Sequence, residues 1–243
     1  MTDSIYLKRT VIKQDIACPL LPNGNRSVRV YLPPGYQEIL SYPVVYCQDG
    51  EEFFNFGRIA TIANKLIIDG DLDPFIIVGV DVDKKNRTNE YSPDESGFES
   101  YSRSFLENIV PEIEKRYPVR TDWTDIVLAG DSLAATVSMH IALLQPDKFR
   151  QVISLSGAYY PASRSIIAAE KDLSWLYAYM IVGLQETDYE TDRGIFDFVD
   201  INRKTRQLLE ERGAHVHYEE HDGTHVWGFW QKHLAQSLQH FLA

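Results

Sequence analysis

Residues 125–135 read DIVLAGDSLAA. An apolar, β-branched run enters Gly130-Asp131-Ser132-Leu133-Ala134, and a segment of helical character leaves it. A sharp strand-to-helix turn of this kind lifts its central side chain above the carboxyl edge of a sheet. It also crowds the residues two before and two after the centre, so both must be small. Gly130 meets that demand fully and Ala134 adds one methyl group. The helix behind Ser132 would begin with free backbone N–H groups and a positive dipole end. Leu133 N–H is then placed to donate to a developing oxyanion. Ser132 is the expected nucleophile; the plainer alternative is a serine that merely caps a helix.

A serine hydroxyl needs a base to take its proton. The chain offers His140, His215, His217, His221, His225, His233 and His240. His140 falls on the helix after the turn, facing away from it. His233 and His240 fall on the C-terminal helix, and His215, His217 and His221 in or beside the last strand. His225 sits in Asp222-Gly223-Thr224-His225, a turn that opens at the same sheet edge as Ser132, and is the expected general base. The base needs a carboxylate to fix its tautomer. Glu186 and Asp188 both follow the strand that ends at Gly183, and position after the glycine favours Glu186. The order serine, acid, histidine is that of an α/β hydrolase. A second oxyanion donor is expected from Cys47-Gln48-Asp49-Gly50-Glu51-Glu52, where Gly50 permits a tight turn that aims Glu51 N–H inward. His215 and His217, with His221 and Asp222 following, also raise a zinc reading. Strand alternation accounts for the pair, and zinc needs three or four converging ligands, so no metal is expected.

These groups work only if the chain lines them up. Residues 42–47, 75–80, 126–129, 152–155, 176–182 and 216–220 are short apolar or alternating runs, the first five continuous enough for strands covered on both faces. Residues 5–12 and 27–32 alternate like half-buried strands and, with no helix between them, predict an antiparallel N-terminal edge. Residues 98–116, 196–212 and 228–242 carry helical periodicity. Alternating β and α predicts a doubly wound, mostly parallel sheet with helices on both faces, and residues 1–243 as a single α/β-hydrolase domain without a large lid. The polar stretch 81–97 is long enough for a functional loop. Its Arg87, Glu90 and Tyr91 either hold it against the site by a salt bridge or contact a polar substrate. Phe53, Phe54, Phe56, Tyr159, Tyr160, Trp227 and Trp230 are candidates for an aromatic rim; Arg87, Tyr159 and Trp227 are the expected substrate contacts.

The 243 residues carry 24 Lys and Arg against 35 Asp and Glu, a net charge of −11. Such a surface repels nucleic acid and anionic lipid, so neither is expected as a partner. No apolar run is long enough to span a membrane, and no secretory signal is visible. Two cysteines suit a reducing cytoplasm, the expected location.

The segments YLPPGY, VVYCQDGEEFF, VDKKNRTNEYSP, LAGDSLAA, SLSGAYY, GLQETD and DGTHVWGFWQKHL together resemble the Putative esterase family, which includes enterochelin esterases, esterase D-like enzymes, tributyrin esterases and mycolyltransferases. The resemblance implies an α/β-hydrolase fold and a Ser–acid–His mechanism without metal or organic cofactor. It carries the nucleophile to Ser132, the base to His225, the acid to Glu186 and the oxyanion donors to the N–H groups of Leu133 and Glu51. Ala134 departs from the usual glycine of the turn, and many relatives have Asp at the acid position, which keeps Asp188 in play. The expected activity is hydrolysis of small or soluble carboxyl esters through an acyl-enzyme. The alternatives are siderophore trilactone cleavage and a catalytically inactive binding protein on a hydrolase scaffold.

Overall fold

The computed structural model describes residues 9–243. Eight strands form one sheet in the order β1-β2-β4-β3-β5-β6-β7-β10. β1 (Thr10–Ala17) and β2 (Asn25–Leu32) make the antiparallel edge, and β2 also runs antiparallel to β4 (Ile76–Val80). The remaining strands are mutually parallel: β4, β3 (Val44–Gln48), β5 (Ile126–Asp131), β6 (Gln151–Leu155), β7 (Tyr177–Gly183) and β10 (His215–His221). The predicted first strand, 5–12, is shifted: pairing begins at Thr10, and residues 5–8 lie outside the described region. The strand predicted from Tyr42 starts at Val44, because Pro43 has no N–H to give a ladder; Tyr42 makes only an isolated bridge to Val119.

Alternation along β3 explains the layering. Val44 and Tyr46 face one core and Val45 and Cys47 the other, all fully buried. On the first face lie α4 (Phe98–Ser104), α5 (Val110–Arg116), α6 (Leu133–Leu144), α7 (Pro161–Ala169) and α8 (Phe198–Glu211). On the second lie α1 (Gly50–Asn55), α2 (Ile59–Asp69) and α9 (Trp227–Leu242). The predicted helix 98–116 is continuous but widened at residues 105–109, where Val110 N–H reaches back to Phe105 O. Pro111 cannot donate to the carbonyl four residues earlier, and a π-type turn absorbs the misfit. The helix predicted from Phe196 starts at Phe198, since the Asp197 side chain caps it by accepting from Asp200 N–H at 2.8 Å.

Two features were not expected. The stretch 81–97 is no bare loop but contains a short helix, α3 (Arg87–Tyr91). A two-stranded hairpin, β8 (Tyr189–Thr191) and β9 (Gly194–Phe196), follows the Glu186 loop. No helix among the described residues is long and apolar enough to cross a membrane.

Candidate active site

The neighbours β3, β5, β6, β7 and β10 all point their carboxyl ends the same way, so the segments that follow them lie side by side. These are Asp49–Glu52, Ser132, Ser156, the 183–186 turn and the 222–225 turn. Chain order reverses about β3, with β4 on one side and β5 on the other. This is the switch point at which open α/β sheets bind ligands.

Ser132 has φ 51° and ψ −122°, a strained backbone for a residue with a side chain. The strain is set by packing. A Cβ at position 130 would lie 2.1 Å from the carbonyl carbon of Ala134, so the strand and helix can meet this closely only over glycine. The extra methyl of Ala134 is accommodated, fully buried, on the other side of the contact. Ala135 and Thr136 N–H both return to Ser132 O, whereas Leu133 N–H has no partner among the described residues.

His225 is buried, and its Nδ1 lies 2.7 Å from Glu186 Oε2. Glu186 is buried at 1% exposure, with both carboxylate oxygens engaged. Oε1 accepts from Gly183 N–H and from the Ser156 hydroxyl, each at 2.8 Å, and the Ser156 oxygen accepts from Trp230 Nε1–H at 2.8 Å. Three hydrogen bonds, two on Oε1 and one on Oε2, fix the carboxylate in place. Asp188, the alternative acid, is exposed and accepts from the Thr187 hydroxyl. The rings of Phe198, Tyr189 and Trp230 stand 4.1, 4.3 and 4.9 Å from the imidazole. This apolar cage pushes the His225 pKa below its ordinary value, and the Glu186 carboxylate pulls only partly against it. The Glu186 carboxylate can only accept, so it takes the Nδ1 proton and leaves Nε2 as the acceptor of the neutral imidazole.

Ser132, Leu133 and His225 line a cavity of about 590 Å³, together with Arg87, Tyr160, Tyr189, Trp227 and Trp230. Of the three expected substrate contacts, Arg87 and Trp227 line this cavity. Tyr159 does not, and its expected role is corrected: it is fully buried, its hydroxyl donating to Ser154 Oγ at 2.8 Å, and its neighbour Tyr160 reaches the cavity instead. Phe56 lines the cavity, but Phe53 packs in the core against Trp227, with ring centroids 4.8 Å apart.

The loop after β3 differs from expectation in its mechanics. Asp49, not Gly50, takes the left-handed conformation, with φ 57°. Gly50 is needed for close approach, because a Cβ there would lie 2.2 Å from the backbone of Gly79 in β4. Glu52 and Phe53 N–H return to Asp49 O, leaving Glu51 N–H without a backbone acceptor among the described residues. The Glu51 side chain turns away to Arg29 at 3.1 Å, while that of Glu52 lines the cavity and accepts from Trp227 Nε1–H.

Arg87 binds Asp49 Oδ2 through Nε at 2.7 Å and reaches toward Asp131 O at 3.5 Å. Tyr91 OH accepts Asp49 N–H at 3.2 Å, and Arg26 Nη2 donates to both carboxylate oxygens of the buried Glu90 at 2.6 and 2.8 Å. The salt-bridge reading of this segment fits these contacts. Asp131 is buried with Oδ1 unpartnered, and burial together with the nearby Asp49 charge pushes its pKa well up. Ser156, Asp49 and the hairpin carried no warning in composition or period.

Residues 21–241 match the family described as Putative esterase. The chain belongs to that family. Among curated relatives, this esterase is 35% identical to the uncharacterized protein YjcH of Bacillus subtilis over 222 residues, 90% of this chain and 92% of the relative. It is 28% identical over 148 residues to an endo-1,4-beta-xylanase/feruloyl esterase of Xylanibacter ruminicola, a match covering 56% of this chain and 20% of that one. Among solved structures, a ferulic acid esterase superimposes with TM-score 0.83 at 20% identity, over 97% of this chain and 98% of that one. The enterobactin esterase of Shigella flexneri gives 0.80 at 18% identity, over 96% of this esterase and 58% of the other. These likenesses agree with the α/β-hydrolase fold.

Proposed function

We propose that the protein hydrolyses small or soluble carboxyl esters through a covalent acyl-serine. The observation that carries this is that His225, held by the buried Glu186, lines the same cavity as the strained, half-buried Ser132. Ser132 Oγ attacks the ester carbonyl carbon as His225 Nε2 takes its proton. The carbonyl oxygen becomes an oxyanion that the N–H groups of Leu133 and Glu51 stabilise. His225 returns the proton to the leaving alkoxide as the C–O bond breaks. Water then attacks the acyl-serine as it gives a proton to the same imidazole, and the imidazolium returns that proton to Ser132 Oγ as the C–O bond breaks and the acid leaves. The Glu186 carboxylate holds Nδ1–H and stabilises the imidazolium. The reaction needs no metal or organic cofactor.

A second reading is cleavage of bulkier aromatic esters, siderophore trilactones among them. It is supported by the size of the cavity and by its five aromatic residues Phe56, Tyr160, Tyr189, Trp227 and Trp230. A panel of p-nitrophenyl esters from acetate to octanoate, with a hydroxycinnamate ester and a catechol trilactone, separates the two. Ser132→Ala is expected to lower kcat by about a millionfold. Retained p-nitrophenyl acetate turnover in that variant rules out the proposed nucleophile. Failure of the wild type to label with a fluorophosphonate leaves instead a binding protein on a hydrolase scaffold.

A further inference from the structure

Strand β10 reads HVHYEEH, and its alternation puts His217, Glu219 and His221 on one face. His233 and His240 are seven residues apart on α9, hence on one side of that helix. The two faces meet: the His221 and His233 rings stack at 4.2 Å between centroids, and the His217 and His240 rings stand at 5.0 Å. Glu219 lies at the centre. Its Oε2 is 2.6 Å from His221 Nε2, and its Oε1 is 2.6 Å from His217 Nε2 and 2.8 Å from Gln236 Nε2. One ligand atom from each of Glu219, His221 and His233 falls within 4.8 Å of the others.

We propose that Glu219, His221 and His233 bind one divalent transition-metal ion of the zinc class, clamping the last strand to the last helix. Two imidazoles and a carboxylate are a donor set that suits zinc, with a water completing the tetrahedron. Zinc arms of about 2.0–2.1 Å place ligand atoms roughly 3.4 Å apart, so the Glu219–His221 pair opens from its present 2.6 Å while the three atoms stay inside the 4.8 Å they already span. Side-chain rotation supplies this, since all three residues are half-buried on rigid elements rather than locked in the core. The outer contacts of a metal carboxylate are already present, because His217 and Gln236 hold Glu219 in its orientation. None of the three residues lines the cavity at Ser132. The site nonetheless bears on it: His221 and His233 bracket the segment that carries His225, so a bound ion closes that segment into a loop.

The test is calorimetric titration of the full chain with zinc chloride in a buffer that does not chelate zinc, alongside thermal melts. The expected result is one zinc per chain, a raised Tm, and affinity weakened at least about tenfold in each of His221→Asn, His233→Asn and Glu219→Gln. His215→Asn, on a ring that stacks on Tyr177 away from the cluster, is expected to bind as wild type. Far-UV circular dichroism shows that each variant is folded; because the three ligand variants come from two elements, a folding failure in one leaves the others decisive. Absence of stoichiometric binding, or binding that survives in all three ligand variants, overturns the proposal.

Discussion

The imidazole of His225 sits among three aromatic rings, and a carboxylate that cannot turn holds its Nδ1. Glu186→Gln keeps the shape but offers an N–H where His225 needs an acceptor, favouring the wrong tautomer. The expected loss in kcat is about 10⁴-fold, while Asp188→Asn leaves kcat within about twofold, since surface changes away from the site are nearly neutral. Steady-state kinetics on both variants checks the assignment; a larger loss in Asp188→Asn reverses it. Burial lowers the His225 pKa. In the proposed mechanism the free base is the active form, so kcat/KM is expected to fall as pH drops through that lowered value, with a midpoint under the ordinary histidine value of about 6.5. A pH–rate profile with its acid midpoint at or above 6.5 contradicts the cage as the cause.

At the scale of elements, α6 does more than aim Ser132. It buries His140, whose Nε2 lies 2.7 Å from Ser163 Oγ on α7 and whose pKa burial drops to about 4. The unfolded chain takes up a proton near pH 6.5 while the native chain resists until about pH 4, so this residue's contribution is present above pH 6.5 and is lost as pH falls. Between pH 7 and 5 the loss comes to about 2 kcal/mol. Urea unfolding of wild type and His140→Gln at both pH values isolates it; equal pH dependence in the two proteins removes the explanation. The hairpin β8–β9 is a second case. Tyr189, Glu190 and Thr191 of β8 and the turn residue Asp192 line the cavity, so this small flap, and not a lid domain, forms one wall.

Across the whole molecule, the antiparallel edge and the active-site wall are joined by one buried ion pair, Arg26 on β2 with Glu90 on α3, their side chains 6% and 3% exposed. Glu90→Gln leaves a buried guanidinium without its countercharge, and the expected cost is about 3–5 kcal/mol. The double change Arg26→Met, Glu90→Met is expected to cost less than the single one, because both charges are gone. Chemical denaturation of the three proteins decides this; a double variant less stable than Glu90→Gln contradicts it.

The strands and the main helices were legible in the sequence because burial on two faces, or one, writes its period directly into residue type. The strand-to-helix turn at Ser132 was legible because the close contact at Gly130 tolerates nothing larger. Glu186 and Asp188 are two residues apart in the same acidic turn, and composition could not separate them. Only the fold shows one carboxylate buried against imidazole and the other in water. Ser156, the Arg26–Glu90 pair and the meeting of Glu219 with His233 join residues far apart in the chain. A local pattern records what each residue buries, whereas which distant residue it then touches depends on strand order and helix placement, and those exist only once the sheet has formed.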